Sequence, residues 1–168
     1  ILISKDNKHL KDLAPNSIVG TSSFRREFQI KRIREDLNCQ VIRGNVDTRL
    51  KKVNDNSYDA IILSYAGINS LELTKKISQT FSVSEIIPSA GQGVVALQCR
   101  KSDKELIELL KKINHQITYK CIKAERGVLK ILEGDCETAV GAHAKIDGHI
   151  ITLEAELFSL DGKERFYS

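Results

Sequence analysis

Ile18-Val19-Gly20-Thr21-Ser22-Ser23-Phe24-Arg25-Arg26 decides how this chain is read, because an apolar run stops at a glycine, crosses small hydroxyl residues and enters a basic, helix-forming stretch. Arg43-Gly44-Asn45-Val46-Asp47-Thr48-Arg49 repeats the arrangement. Each reads as strand, loop and helix start. The first N–H groups of a helix lack intrahelical partners and carry the positive end of its dipole, so such a start receives an anion readily. Arginine adds a planar fork that matches a carboxylate or phosphate bidentately, and two such segments suit a ligand with several acidic groups. An ordinary alternative stays open: Ser22 or Ser23 caps a surface helix whose solvated face is Arg25, Arg26, Lys31, Arg32 and Arg34.

Outward from these segments the pattern alternates. Residues 1–4 and 17–20 read as short strands, 23–37 as a helix with Phe24, Phe28, Ile33 and Leu37 on one face, and 40–43 as a strand. A helix over 46–53, a buried strand over 59–63 and a helix over 66–71 follow. This order predicts an α/β fold with a mainly parallel sheet and ligand at the carboxyl ends of its strands, where both arginine segments converge and Gly44 allows close backbone approach. Breakers at 88–93 read as a connection, with Gln92 placed to line a cleft or to satisfy loop backbone groups. Beyond them the reading predicts a strand over 94–99, helices over 102–113 and 117–132, and strands over 141–146 and 149–159 joined by an Asp147-Gly148 turn, with a second turn at Asp161-Gly162. The end is a small α+β unit.

The composition bounds the function class. In 168 residues, 41% hydrophobic content is enough for a core, and a net charge of +4 from 26 basic and 22 acidic residues gives no strong field for nucleic acid or membrane. Acidic Glu27, Glu35 and Asp36 interrupt the basic helix, and no aromatic stacking platform accompanies it. No apolar run has membrane-spanning length. Cysteines at 39, 99, 121 and 136 form no Cys-x-x-Cys pair, so a reduced, cytoplasmic protein is expected, with Cys39, Cys99 and Cys121 as small buried hydrophobes and Cys136 on an exposed turn. Ile1-Leu2-Ile3-Ser4-Lys5-Asp6 resembles neither a leader nor an initiation, and the strand-like end at Phe166-Tyr167-Ser168 also reads as the interior of a longer sequence.

Segments 19–26 and 43–49, Tyr58-Asp59-Ala60-Ile61-Ile62-Leu63 with Ala66-Gly67, Pro88 with Gly91-Gln92-Gly93, and Ala124-Glu125-Arg126 ahead of Leu132-Glu133-Gly134-Asp135-Cys136 together resemble the porphobilinogen deaminase (hydroxymethylbilane synthase) family along nearly the whole chain. The resemblance implies a periplasmic-binding-protein-like α/β domain over 1–88. A connection over 89–113 would cross into an N-terminal domain not present here, and a truncated α+β domain over 114–168 would follow. It implies an enzyme of haem biosynthesis that joins four porphobilinogen units head to tail, losing ammonia, on a dipyrromethane cofactor held by a thioether to Cys136. Every pyrrole carries acetate and propionate, so by resemblance Arg25, Arg26, Arg43 and Arg49 bind carboxylates. Thr21, Ser22, Ser23, Gly44, Asn45 and Gln92 add polar and backbone contacts. The aspartate that protonates the leaving amine lies in the family's N-terminal domain, so no catalytic acid is expected here and the chain alone should be inactive. A full-length member is expected to be a monomer, with no metal, nucleic acid or membrane partner. This shorter chain should self-associate through the apolar 94–99.

Three departures qualify the carry-over. Asp135 stands where the family has a second glycine, Ala139 where it has proline, and Ser70 where it has arginine, so one carboxylate contact is missing or supplied elsewhere. Glu133, Asp135 and Glu137 disfavour a Cys136 thiolate, which argues against redox or protease chemistry more than against a single capture of an electrophile. A non-catalytic binding module of the periplasmic type, taking a polycarboxylate, is the alternative function.

Overall fold

The computed structural model describes residues 1–132 and 138–168. Short apolar strands make the first layer: β1 (Leu2–Ser4), β2 (Ile18–Gly20), β3 (Asn38–Gln40) and β4 (Ala60–Ile62), in the order β1-β4-β2-β3. β2 runs parallel to both β3 and β4, pairing Val19 with Cys39 and with Ala60, while β1 is antiparallel to β4, pairing Leu2 with Ile62. Residues alternate between two buried faces, as a sheet covered on both sides requires. Leu2, Val19, Ala60 and Ile62 join Ile30 of α1 (Phe24–Ile33) on one side. Ile3 and Ile61 join Leu50 and Val53 of α2 (Val46–Asn54) and Ile68 of α3 (Tyr65–Ser70) on the other.

After an irregular stretch come α4 (Lys104–Ile113) and α5 (Gln116–Ile131). An antiparallel sheet of β5 (Val140–Asp147), β6 (Ile150–Phe158) and β7 (Arg165–Tyr167) closes the chain. β5 and β6 pair from Val140–Leu157 to Asp147–Ile150, and the tight loop between them uses Gly148 at φ 56°, a left-handed turn position that glycine adopts without strain. The expected mixed α/β order with a separate small C-terminal sheet is the observed one.

Four local expectations are corrected. The first helix stops at Ile33, because Arg34 leaves the helix and donates to the carbonyls of Leu10, Lys11 and Leu13 while chelating Asp36. Its buried face is Arg25, Gln29 and Ile30 rather than the aromatic one, and Phe24 is half exposed. Gln29 satisfies that burial by accepting from Ile87 N–H at 2.6 Å and donating to Ile87 O at 3.1 Å, as a strand would. β3 lies at Asn38–Gln40, not 40–43; beyond the ladder, Ile42 O is taken by the Ser22 hydroxyl. Residues 94–99 form no strand: no edge pairs with them among the described residues, and a lone strand leaves its backbone groups unsatisfied. Val95 and Leu97 are 85% and 60% exposed there, as expected for an unpaired apolar segment.

The C-terminal sheet docks on α1 and on the segment before the connection. Ala142 N–H donates to Pro88 O at 2.8 Å. Phe28 meets Phe158 with ring centroids 5.6 Å apart. Gly162 has φ 72°, and a Cβ there would stand 2.5 Å from the Phe28 ring, so only glycine fits.

Candidate functional site

Between the two sheets, where α1 begins, lies a cleft of about 580 Å³ bordered by Ser22, Ser23, Arg25, Arg26, Arg49, Ser89, Gln92, Arg126, Leu129 and Thr138. The helix starts explain part of it. Ser23 caps α1 by accepting from Arg26 N–H, and Thr21, itself buried, accepts from Ser23 N–H at 3.2 Å. These bonds turn the chain so that Arg25 and Arg26 leave the first turn together. Arg25 is 5% exposed and is held by Ile87 O at 2.5 Å and Gln92 Oε1 at 3.3 Å. Arg26 shares the same Gln92 oxygen at 3.4 Å. Arg49 reaches in from the second turn of α2, its Nε donating to Gly44 O at 2.8 Å.

The loop carrying Gln92 is pinned from behind. Glu125 on α5 is 5% exposed and accepts from Gly91 N–H at 2.7 Å and from Ala144 N–H at 2.9 Å. One carboxylate thus ties connection, helix and sheet together, and the next residue on the helix, Arg126, enters the cleft. Arg126 is the site residue that residue-by-residue reading passed over. Its only signal was its place beside Glu125 in the quoted motif.

The electrostatics ask for an anion. Among the described residues no Asp or Glu lines the cleft, and no carboxylate lies within 4.0 Å of Arg25, Arg26, Arg49 or Arg126. Burial first, then the charge of Arg26, brings the Arg25 guanidinium down to about 10, with Glu156 pulling the other way. Arg26 is lowered too, by burial and then by Arg49. Because Arg25 in the folded state lies below its unfolded value, its charged form costs about 3 kcal/mol of folding free energy. That cost holds below pH 10 and is relieved only as the pH rises above it. A bound carboxylate would offset it at neutral pH. The four guanidiniums and the serine hydroxyls therefore fit a ligand with several carboxylates.

Of the expected residues, Ser22, Ser23, Arg25, Arg26, Arg49 and Gln92 come together. Thr21 acts beneath them as a turn staple. Arg43, Gly44 and Asn45 do not border the cleft: Arg43 is exposed, and Asn45 caps α2 by accepting from Thr48 N–H at 2.9 Å. Gly44 has φ 117°, and a Cβ would stand 2.7 Å from Thr48, so its freedom serves the turn into α2. Ser70 bonds back to Ala66 O at 2.9 Å within α3. Cys136 lies outside the described residues. A second cavity of about 660 Å³ between residues 94–99, α4 and α5 is lined by Val94, Leu97, Leu110 and Tyr119 and has no arginine, which leaves the smaller, basic cleft as the candidate site.

Comparison with known proteins finds similarity along nearly the whole chain. Residues 1–108 match the family model described as "Porphobilinogen deaminase, dipyromethane cofactor binding domain", and residues 119–167 match "Porphobilinogen deaminase, C-terminal domain". The porphobilinogen deaminase of Alkaliphilus metalliredigens is 40% identical over 163 residues, covering 97% of this chain and 52% of that protein. That of Brevibacillus brevis is 40% identical over 167 residues, covering 99% and 54%. That of Francisella tularensis subsp. novicida is 41% identical over 162 residues, covering 96% and 54%. The chain spans about half the length of the curated relatives it matches.

Proposed function

The chain belongs to the porphobilinogen deaminase family, and from that premise we propose that it carries the carboxylate-holding half of a hydroxymethylbilane synthase, a transferase that polymerises porphobilinogen with loss of ammonia. The observation that supports this most is the set of four cleft arginines with no carboxylate partner among the described residues. Porphobilinogen bears one acetate and one propionate, and each added unit brings two more charges. Arg25 and Arg26, fixed by one shared Gln92 oxygen, hold one end of such a ligand in a set orientation, and Arg49 and Arg126 face it from α2 and α5. Arg43, Gly44 and Asn45, which do not border the cleft, enter the proposal through the turn that sets Arg49, whose Nε donates to Gly44 O.

Cys136 is proposed to attach the dipyrromethane cofactor, which when bound supplies the terminal pyrrole that accepts incoming units. Residues 1–88 would then provide most of the anion contacts and 114–168 the attachment point. In the holoenzyme, Cys136→Ser is expected to remove the pyrrole mass, while Cys39→Ser, Cys99→Ser and Cys121→Ser keep it. Burial raises the Cys39 thiol to about 11, which suits a packing role. Intact-mass spectrometry reads the result, and an adduct persisting on the Cys136→Ser protein would move the attachment point.

Proton delivery to the leaving amine needs an acid within hydrogen-bond reach, and none lines the cleft among the described residues. The 168-residue chain incubated with porphobilinogen is therefore expected to release no ammonia above the uncatalysed rate and to form no tetrapyrrole absorbance. Steady turnover would place the acid within these residues. Among the described residues no helix is long and apolar enough to cross a membrane.

A further inference from the structure

Glu156 lies midway along the docking of the C-terminal sheet on α1, and it is 1% exposed. Its Oε1 accepts from Arg165 Nε of β7 and stands 3.8 Å from Arg32 Nε of α1. Its Oε2 is buried with no hydrogen-bond partner. A carboxylate so desolvated is costly unless opposite charge surrounds it. Here the charge comes from Arg32 on the exposed turn of α1 and Arg165 on the sheet edge. Glu156 also pairs across the ladder with Gly141, which lies against Ile87, the residue whose carbonyl holds Arg25, so its field reaches that guanidinium. Arg32, which the sequence offers as part of a solvated helix face, links α1 to the C-terminal sheet.

We propose that Glu156 is a positioning residue for the cleft: its buried carboxylate clamps α1 to the C-terminal sheet through Arg32 and Arg165 and places the negative charge that stabilises the guanidinium of Arg25. Among the described residues, the other charged groups bordering the cleft are all repulsive, namely Arg26 on Arg25's own helix, Arg49 on α2 and Arg126 on α5. Glu156 thus lets several guanidiniums share one cleft before any ligand enters. Its value for ligand binding rests on the reading of the cleft as a carboxylate site, but the clamp and the field do not.

The test is a pH titration of the arginine Cζ resonances by NMR in the 168-residue protein without ligand. Glu156→Gln keeps an oxygen that can accept from Arg165 Nε but removes the negative charge, whereas Arg165→Gln breaks the ion pair and leaves that charge in place. The Arg25 midpoint is expected to fall by about half a pH unit or more in Glu156→Gln and not to fall in Arg165→Gln. An unchanged midpoint in Glu156→Gln, or equal falls in both variants, overturns the proposal. If circular dichroism shows Glu156→Gln to be unfolded, the Glu156→Gln/Arg165→Gln double variant, which leaves no buried carboxylate without its partner, replaces it: its Arg25 midpoint must lie below that of Arg165→Gln, and equal midpoints overturn the proposal. Calorimetric titration of the parent protein with porphobilinogen decides the cleft reading separately, since absence of binding there defeats that reading and leaves the NMR result to judge Glu156.

Discussion

Arg25→Ala is expected to weaken binding of pyrrole carboxylates to the cleft by about 30-fold to several thousand-fold, the equivalent of roughly 2–5 kcal/mol for truncating one partner of a desolvated, hydrogen-bonded charge pair. Folding stability should fall far less. Removing the side chain leaves Ile87 O and the Gln92 amide short of a donor, but Ile87 O keeps Gln29, and the cost of a buried unpaired cation disappears with it. The separation of the two effects is the diagnostic part. Titration calorimetry with porphobilinogen, alongside thermal unfolding, measures both on one sample. Lys31→Ala, on the exposed side of the same helix in an i,i+4 pair with Glu27, serves as the control and should leave both unchanged. If Arg25→Ala binds within threefold of the parent protein, the cleft does not hold carboxylates through this residue.

Glu125→Ala is expected to have the largest effect on stability. It strips the partners from two backbone donors, Gly91 N–H and Ala144 N–H, and each buried donor left unsatisfied costs about 1–3 kcal/mol. A loss of about 2–4 kcal/mol corresponds to roughly 5–15 °C in Tm for a chain of this size. The damage should not stay local. Gln92 is one residue from the pinned glycine, so the oxygen that orients Arg25 and Arg26 loses its fixed position and ligand affinity falls as well. Glu125→Gln keeps one acceptor and should lose about half as much. A Tm within 2 °C of the parent for Glu125→Ala would show that water replaces both bonds and that the pin is dispensable.

Much of the fold was legible because its signals are local. Apolar runs bounded by turn residues marked β1, β2 and β4, Ser23 and Asn45 marked two helix starts, and Asp147-Gly148 marked the hairpin, each within a few residues of its cause. Arg25, Arg26 and Arg49 were legible for the same reason, since a helix start beside a guanidinium is an anion receptor wherever it occurs. The failures were long-range. Residues 94–99 have the composition of a strand, yet a strand exists only where another edge pairs with it, and nothing in the segment says whether one does. The aromatic stripe on α1 looked like its core face, while the residues that α1 buries are Arg25, Gln29 and Ile30. Gln29 is accepted there because Ile87, far along the chain, presents both of its backbone groups to the amide.

By itself, then, the sequence determined the alternating α/β order, the helix starts that gather arginines at the carboxyl end of a parallel sheet, and the family to which these motifs point. Only the tertiary structure decided which arginines share a cleft. It drew Arg126 in from α5 and left Arg43 outside; it made Glu125 a pin for the Gln92 loop and Glu156 a buried clamp with Arg32 and Arg165. The physical reason is that a charged side chain's role depends on its desolvation and on the charges around it, and both are set by segments brought together across dozens of residues rather than by neighbours in sequence.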